Sequence, residues 1–94
     1  MIITLSGELD LAHTGRIETT IRRAVGCGPN AVVVDIAAVE FMDSVAISTL
    51  LRMYQLADDA RVHLTVEGAS GQVRRILDAA GLLGVPPFVV SAVA

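Results

Sequence analysis

A chain of 94 residues with a formal charge of −3 makes one small domain, residues 1–94, with no length for a second core. Hydrophobic residues reach 53% but aromatics only 3%, so the core must be built from Val, Ile, Leu and Ala. The acidic balance excludes a nucleic-acid partner that wants a basic stripe, the single Cys27 excludes an intramolecular disulfide, and no apolar run reaches the ~20 residues of a membrane span.

In chain order, "IITL" (2–5) is a β-branched run ended by Ser6–Gly7 and predicts a strand. Thr14 is the expected N-cap of a first helix, in which Ile17, Ile21, Ala24 and Val25 recur at helical spacing. "AVVVDI" (31–36) reads as a continuous apolar strand of the kind buried on both faces. After Asp43–Ser44 a second helix is marked by Ile47, Leu50, Leu51 and Tyr54 and runs to about Ala57. "RVHLTVE" (61–67) alternates as a strand, Ser70 is placed to cap a third helix on Val73, Ile76, Leu77 and Ala80, and Gly81 ends it. "PFVV" (87–90) predicts a last strand. The uncharged stretch 79–94 is too short and Pro-broken to insert in a membrane, and its apolar edge predicts weak pairing of two copies. This alternation specifies an α/β fold: a small four-stranded, mostly parallel or mixed sheet with about three crossover helices.

Ligands of such sheets meet the loops at the carboxyl ends of the strands. Three are expected: "SGELDLAH", "AAVEFMDS" and "GASG". The last lacks the Lys and spacing of a phosphate-binding loop, and His13 and His63 lack metal-ligand spacing, so neither a cofactor nor a metal is expected. Glu8, Asp10, Glu40 and Asp43 place four acids in the other two loops. No nucleophile elbow or paired histidine accompanies them, which argues against an enzyme. Asp43–Ser44 reads first as a helix cap worth ~1 kcal/mol. The paired arginines, Arg22–Arg23 and Arg74–Arg75, read as solvated helix faces.

"SGELDLAHTGRI" followed by "VVVDIAAVEFMDSVAISTLL" resembles the STAS domain family, especially the bacterial anti-sigma factor antagonists. Gly7, Glu8, Leu9 and Asp10 match the family's G-E-[LI]-D loop. Asp35 matches the acid that ends its next strand, and Phe41, Met42, Asp43, Ser44, Ala46 and Ile47 match F-[ML]-D-S-[ST]-[GA]-[LI] at the second helix. "GASGQVRRILDAAGLLG" is similar to the third helix, so the resemblance runs over about residues 2–84. It implies a cytoplasmic partner-switching module that regulates transcription by docking on an anti-sigma factor, usually a serine kinase, and so frees a sigma factor. Phosphorylation at the start of the second helix ends that docking, through a group that carries about −1.5 to −2 charges.

On this resemblance the partner-binding residues are Asp10, Asp43, Ser44, Val45 and Ile47. The family's phosphoacceptor falls on Val45, which has no hydroxyl; Ser44 is the neighbouring hydroxyl, and Ser48 and Thr49 are expected to be screened by burial. The resemblance therefore implies binding without the usual serine switch. It also implies a minimal version of the family, without an extra N-terminal strand and a closing C-terminal helix. The alternative it allows is an adaptor subunit of a larger complex, such as a lipid-transport ATPase.

Overall fold

The computed structural model describes residues 1–90. Strand β1 (Ile2–Leu9) leads through a short 3-10 turn (Leu11–His13) into helix α1 (Thr14–Gly26), followed by β2 (Ala31–Met42), α2 (Ser44–Asp59), β3 (His63–Glu67) and α3 (Gly71–Ala79). The three strands are parallel and ordered β1-β2-β3. Because each crossover moves one strand along in the same direction, right-handed connections place α1 and α2 on one face of the sheet. Burial follows: Val32, Val34 and Ile36 of β2 and Leu64 and Val66 of β3 are buried, while Val33, Asp35, Thr65 and Glu67 on the opposite face are half-buried and Ile2, Thr4 and His63 are exposed. The expectation that β2 is buried on both faces is thereby corrected: among the described residues the face that carries Val33 and Asp35 is only half covered.

Among the described residues the expected four strands become three. Residues 87–90 contribute one bridge, Val66 to Phe88, made by Val66 N–H donating to the Pro87 carbonyl (2.8 Å) and Val89 N–H to the Val66 carbonyl (3.0 Å). The next rung of a parallel ladder would need an N–H at position 87 for the Leu64 carbonyl, and proline has none. Both backbone groups of Phe88 are also drawn into a turn: its N–H donates to the Val85 carbonyl (2.8 Å) and its carbonyl accepts from Gly84 (3.1 Å). The tail prediction extends to residues 91–94, which lie outside the described residues.

Strands β1 and β2, in contrast, outrun their predicted ends, and they do so together. Thr4 and Ser6 pair with Asp35 and Ala38, and Gly7 and Glu8 pair with Val39 and Phe41, so β2 spends one extra residue at each of two places. At the first bulge the Asp35 carboxylate accepts from the Ala37 N–H (2.9 Å), satisfying a donor that has left the ladder. Gly68, after β3, lies against this bulge with φ +88°; a Cβ there would sit 2.9 Å from Asp35 Oδ1 and 3.2 Å from the Ala37 backbone nitrogen. The segments read as loops before Asp10 and Asp43 are therefore paired strands. Glu8 and Glu40 belong to those strands, and the loops proper are short.

The helices bury the stripes their spacing specifies: Ile17, Ile21, Ala24 and Val25 in α1; Ala46, Ile47, Thr49, Leu50, Met53 and Ala57 in α2; Val73 and Leu77 in α3, with Ile76 packed against the cluster and Ala80 exposed. Thr14 opens α1 from inside rather than capping it, its hydroxyl donating to the Leu11 carbonyl (3.1 Å), and Ser70 holds the N-cap position of α3 without a side-chain bond. Helices α2 and α3 end in the same way. Arg61 N–H donates to the Asp58 carbonyl and Val62 N–H to that of Ala57; Gly81 and Leu82 do the same to Asp78 and Leu77. The left-handed position of this motif suits glycine, which α3 supplies as Gly81 (φ 73°), whereas α2 places Arg61 there at φ 61°.

Candidate functional site

At the carboxyl end of the sheet, β1 and β2 stop side by side, with Leu9 paired to Met42. Each strand then releases one aspartate, Asp10 and Asp43, in extended conformation just ahead of a helical turn. The two turns are tied together at Asp43. Its N–H donates to the Leu9 carbonyl (3.1 Å), its Oδ2 accepts from the Leu11 N–H (3.1 Å) and its Oδ1 accepts from the Ala46 N–H (2.8 Å). Asp43 is thus both the N-cap of α2 and the clasp of the loop after β1. The cap matches the sequence reading; the clasp joins residues 32 apart and is a product of strand pairing.

Asp10 works more locally. Its Oδ1 accepts from the Ala12 N–H (3.0 Å) and from His13 Nδ1 (2.7 Å), and its carbonyl accepts from the His13 N–H (2.9 Å). A carboxylate can only accept, so the hydrogen of that imidazole contact resides on Nδ1. The pair is partly exposed and organises the 3-10 turn that presents Leu11.

The groups this scaffold offers to solvent are not quite those expected. Ser44 and Val45 are exposed at the first turn of α2, Val45 to 39%. Ile47, expected on the docking surface, is only 9% exposed and belongs to the core. Ser48, expected to be screened, is exposed, whereas Thr49 is fully buried with its hydroxyl donating to the Val45 carbonyl (2.9 Å). Leu11 was not singled out by sequence, yet it is 69% exposed, and its own N–H fixes it to Asp43. Its signal was available: a large apolar residue, with only Ala12 beside it, between Asp10 and His13. Phe41, at the end of β2, is a second large apolar side chain that stays exposed.

Chemically this arrangement suits docking better than bond-making. Both carboxylates are engaged by backbone N–H groups, Ser44 contacts no base among the described residues, and the accessible groups are the side chains of Leu11 and Val45 and the hydroxyls of Ser44 and Ser48. No helix of the described residues is long and apolar enough to cross a membrane.

The model of the STAS domain family matches residues 1–92. Anti-sigma-F factor antagonist RsfB of Mycobacterium tuberculosis is 37% identical over 49 residues, 52% of this chain and 40% of that protein, so the match spans less than half of the relative's length. Among solved structures, an anti-sigma factor antagonist from Mycobacterium paratuberculosis superposes with a TM-score of 0.74 at 28% identity, covering 97% of this chain and 77% of that one. The anti-sigma factor antagonist SpoIIAA in its unphosphorylated form gives a TM-score of 0.76 over 98% of this chain and 79% of its own, at 22% identity, a likeness of fold alone.

Proposed function

We propose that this chain, which belongs to the STAS domain family, is a non-catalytic module that binds an anti-sigma factor and so regulates sigma-dependent transcription. The names of its relatives support the partner class, and the clasp at Asp43 supports the surface. By fixing Leu11 through its N–H and the first turn of α2 through Ala46, Asp43 holds Leu11, Ser44, Val45 and Ser48 as one presented patch. In this reading Asp10 and Asp43 shape the docking surface and give it negative charge, while Leu11 and Val45 supply the apolar contact. Ile47 supports the patch from within the core.

The reading includes the absence of the serine switch at position 45. Val45 cannot be phosphorylated, and its exposure supports the reading that it offers an apolar contact where a hydroxyl would serve a kinase. Binding is then constitutive. Titration of the purified chain with an anti-sigma factor from the source cell, with and without ATP, tests both points. The expected result is saturable binding that ATP leaves unchanged and that Leu11→Arg reduces at least tenfold with the fold intact by circular dichroism. Equal affinity of Leu11→Arg and wild type would remove the patch from the interface, and phosphate on Ser44 with loss of binding would show a switch moved by one residue.

A further inference from the structure

The sheet ends in two unlike edges. Beyond β3 the chain itself lies along the strand at residues 87–89. Beyond β1 no strand lies among the described residues. In a parallel ladder, alternate residues of an edge strand turn both backbone groups to the neighbour and the rest turn theirs outward. The Val33 N–H donates to the Met1 carbonyl (2.8 Å) and Ile2 is the Cα partner of Val33, which assigns Ile3 and Leu5 to the ladder and Ile2, Thr4 and Ser6 to the outside. All three outward residues are exposed. An open groove of about 630 Å³ runs beside the strand, lined by Thr4 to Leu9, by residues of the first helical segments such as Arg16 and Thr20, and, at its far end from Ile2, by Glu40 of β2 beside Glu8.

Edge strands of monomers are ordinarily guarded by a charge, a proline or a pronounced bulge. From Ile2 to Ser6 this strand has no charged residue and no proline, and its bulged residues are on β2. Only another strand offers N–H and C=O groups at the matching repeat. We infer that the free edge of β1 pairs antiparallel with β1 of a second copy, about a two-fold axis at Thr4. The sequence is complementary to itself in that register. Thr4 meets Thr4 and Ile2 meets Ser6 on the open face, and the three outward pairs exchange about six backbone hydrogen bonds. On the helix-covered face Ile3 meets Leu5 of the other copy, and both are half-buried residues packed against the core that gain apolar cover by the pairing. The contact is isologous, with the same surface used on both copies. This inference stands independently of the partner reading, since its interface is the sheet edge and its assay uses the chain alone.

Sedimentation equilibrium of the intact chain tests it. The weight-average mass rises from 9.8 kDa toward twice that value as concentration increases. Thr4→Pro removes an outward N–H that the internal ladder does not use, so it leaves the circular dichroism spectrum unchanged and weakens dimerisation at least tenfold. Because Thr4 faces itself across the axis, Thr4→Lys and Thr4→Glu each stay monomeric when alone and recover association when mixed, which also decides the matter should the proline variant fail to fold. A wild type that remains monomeric into the high micromolar range, or lysine and glutamate variants that associate like wild type, would overturn the inference.

Discussion

Removing the Asp43 carboxylate should damage two structures at once, and the two losses can be separated. Asp43→Ala deletes the N-cap of α2, a change that costs about 1 kcal/mol. It also leaves the Leu11 N–H without its acceptor; that bond is solvent-exposed, so the loss adds about 0.5–1.5 kcal/mol. The sum is about 2 kcal/mol, which for a domain of this size lowers Tm by about 8–16 °C. Asp43→Ser supplies an equivalent cap but is one bond too short to span both helical turns. It should keep the Ala46 bond, lose only the Leu11 bond and cost about 0.5–1.5 kcal/mol. Urea titration gives the two free energies, and amide hydrogen exchange gives their locations: both Leu11 and Ala46 exchange faster in the alanine variant, only Leu11 in the serine variant. If the alanine variant lost less than about 0.5 kcal/mol, or if serine cost as much as alanine, the clasp would not be the structural element described here.

Arg61→Gly relieves a left-handed residue that costs about 1–2 kcal/mol, against about 0.5–1 kcal/mol of added chain entropy, so its urea midpoint should rise by the equivalent of about 0.5–1 kcal/mol. Gly68→Ala drives a methyl group to 2.9 Å from Asp35 Oδ1 at φ +88°, and should cost about 1–3 kcal/mol in the same assay. Val45→Ser restores a hydroxyl at an exposed position of the first helical turn, and mass spectrometry after incubation with ATP and an anti-sigma kinase should find phosphate on the variant and none on wild type.

The helices were legible because their stripes recur at three and four residues and need only local information. Ile47 illustrates the point from both sides. Its spacing with Leu50 and Leu51 assigns it to the buried stripe, where it lies, and only the motif alignment assigned it to the docking surface. The far half of β2 was hidden for the opposite reason. Two inserted residues break the period of two, leaving Ala37 with Ala38 and Glu40 with Phe41 as consecutive exposed pairs, and the pattern then resembles a loop. Asp35 stood out as a motif residue, but its work at the bulge depends on Ala37 and on the close approach of Gly68. The clasp from Asp43 to Leu11 was beyond reach for a similar reason, since it exists only once β1 and β2 are in register. The last strand failed on a single atom: the hydrogen that Pro87 does not carry.

The chain's return along β3 also bears on how far the molecule can grow. A sheet with two receptive edges adds strands indefinitely and makes a fibre, whereas one with a single receptive edge is used up after one addition. Here the β3 side is occupied at Val66 by the chain's own return, whose outward positions offer an incoming strand little: Pro86 carries no N–H, and both backbone groups of Phe88 are held in a turn. Pro86 and the turn that holds Phe88 act as a chain terminator for assembly on that side. A neutral, β-branched segment such as "MIITLS" would ordinarily be an aggregation hazard. In this fold growth past one partner strand at β1 has to contend with a far edge that residues about 80 positions away in the sequence already occupy at Val66.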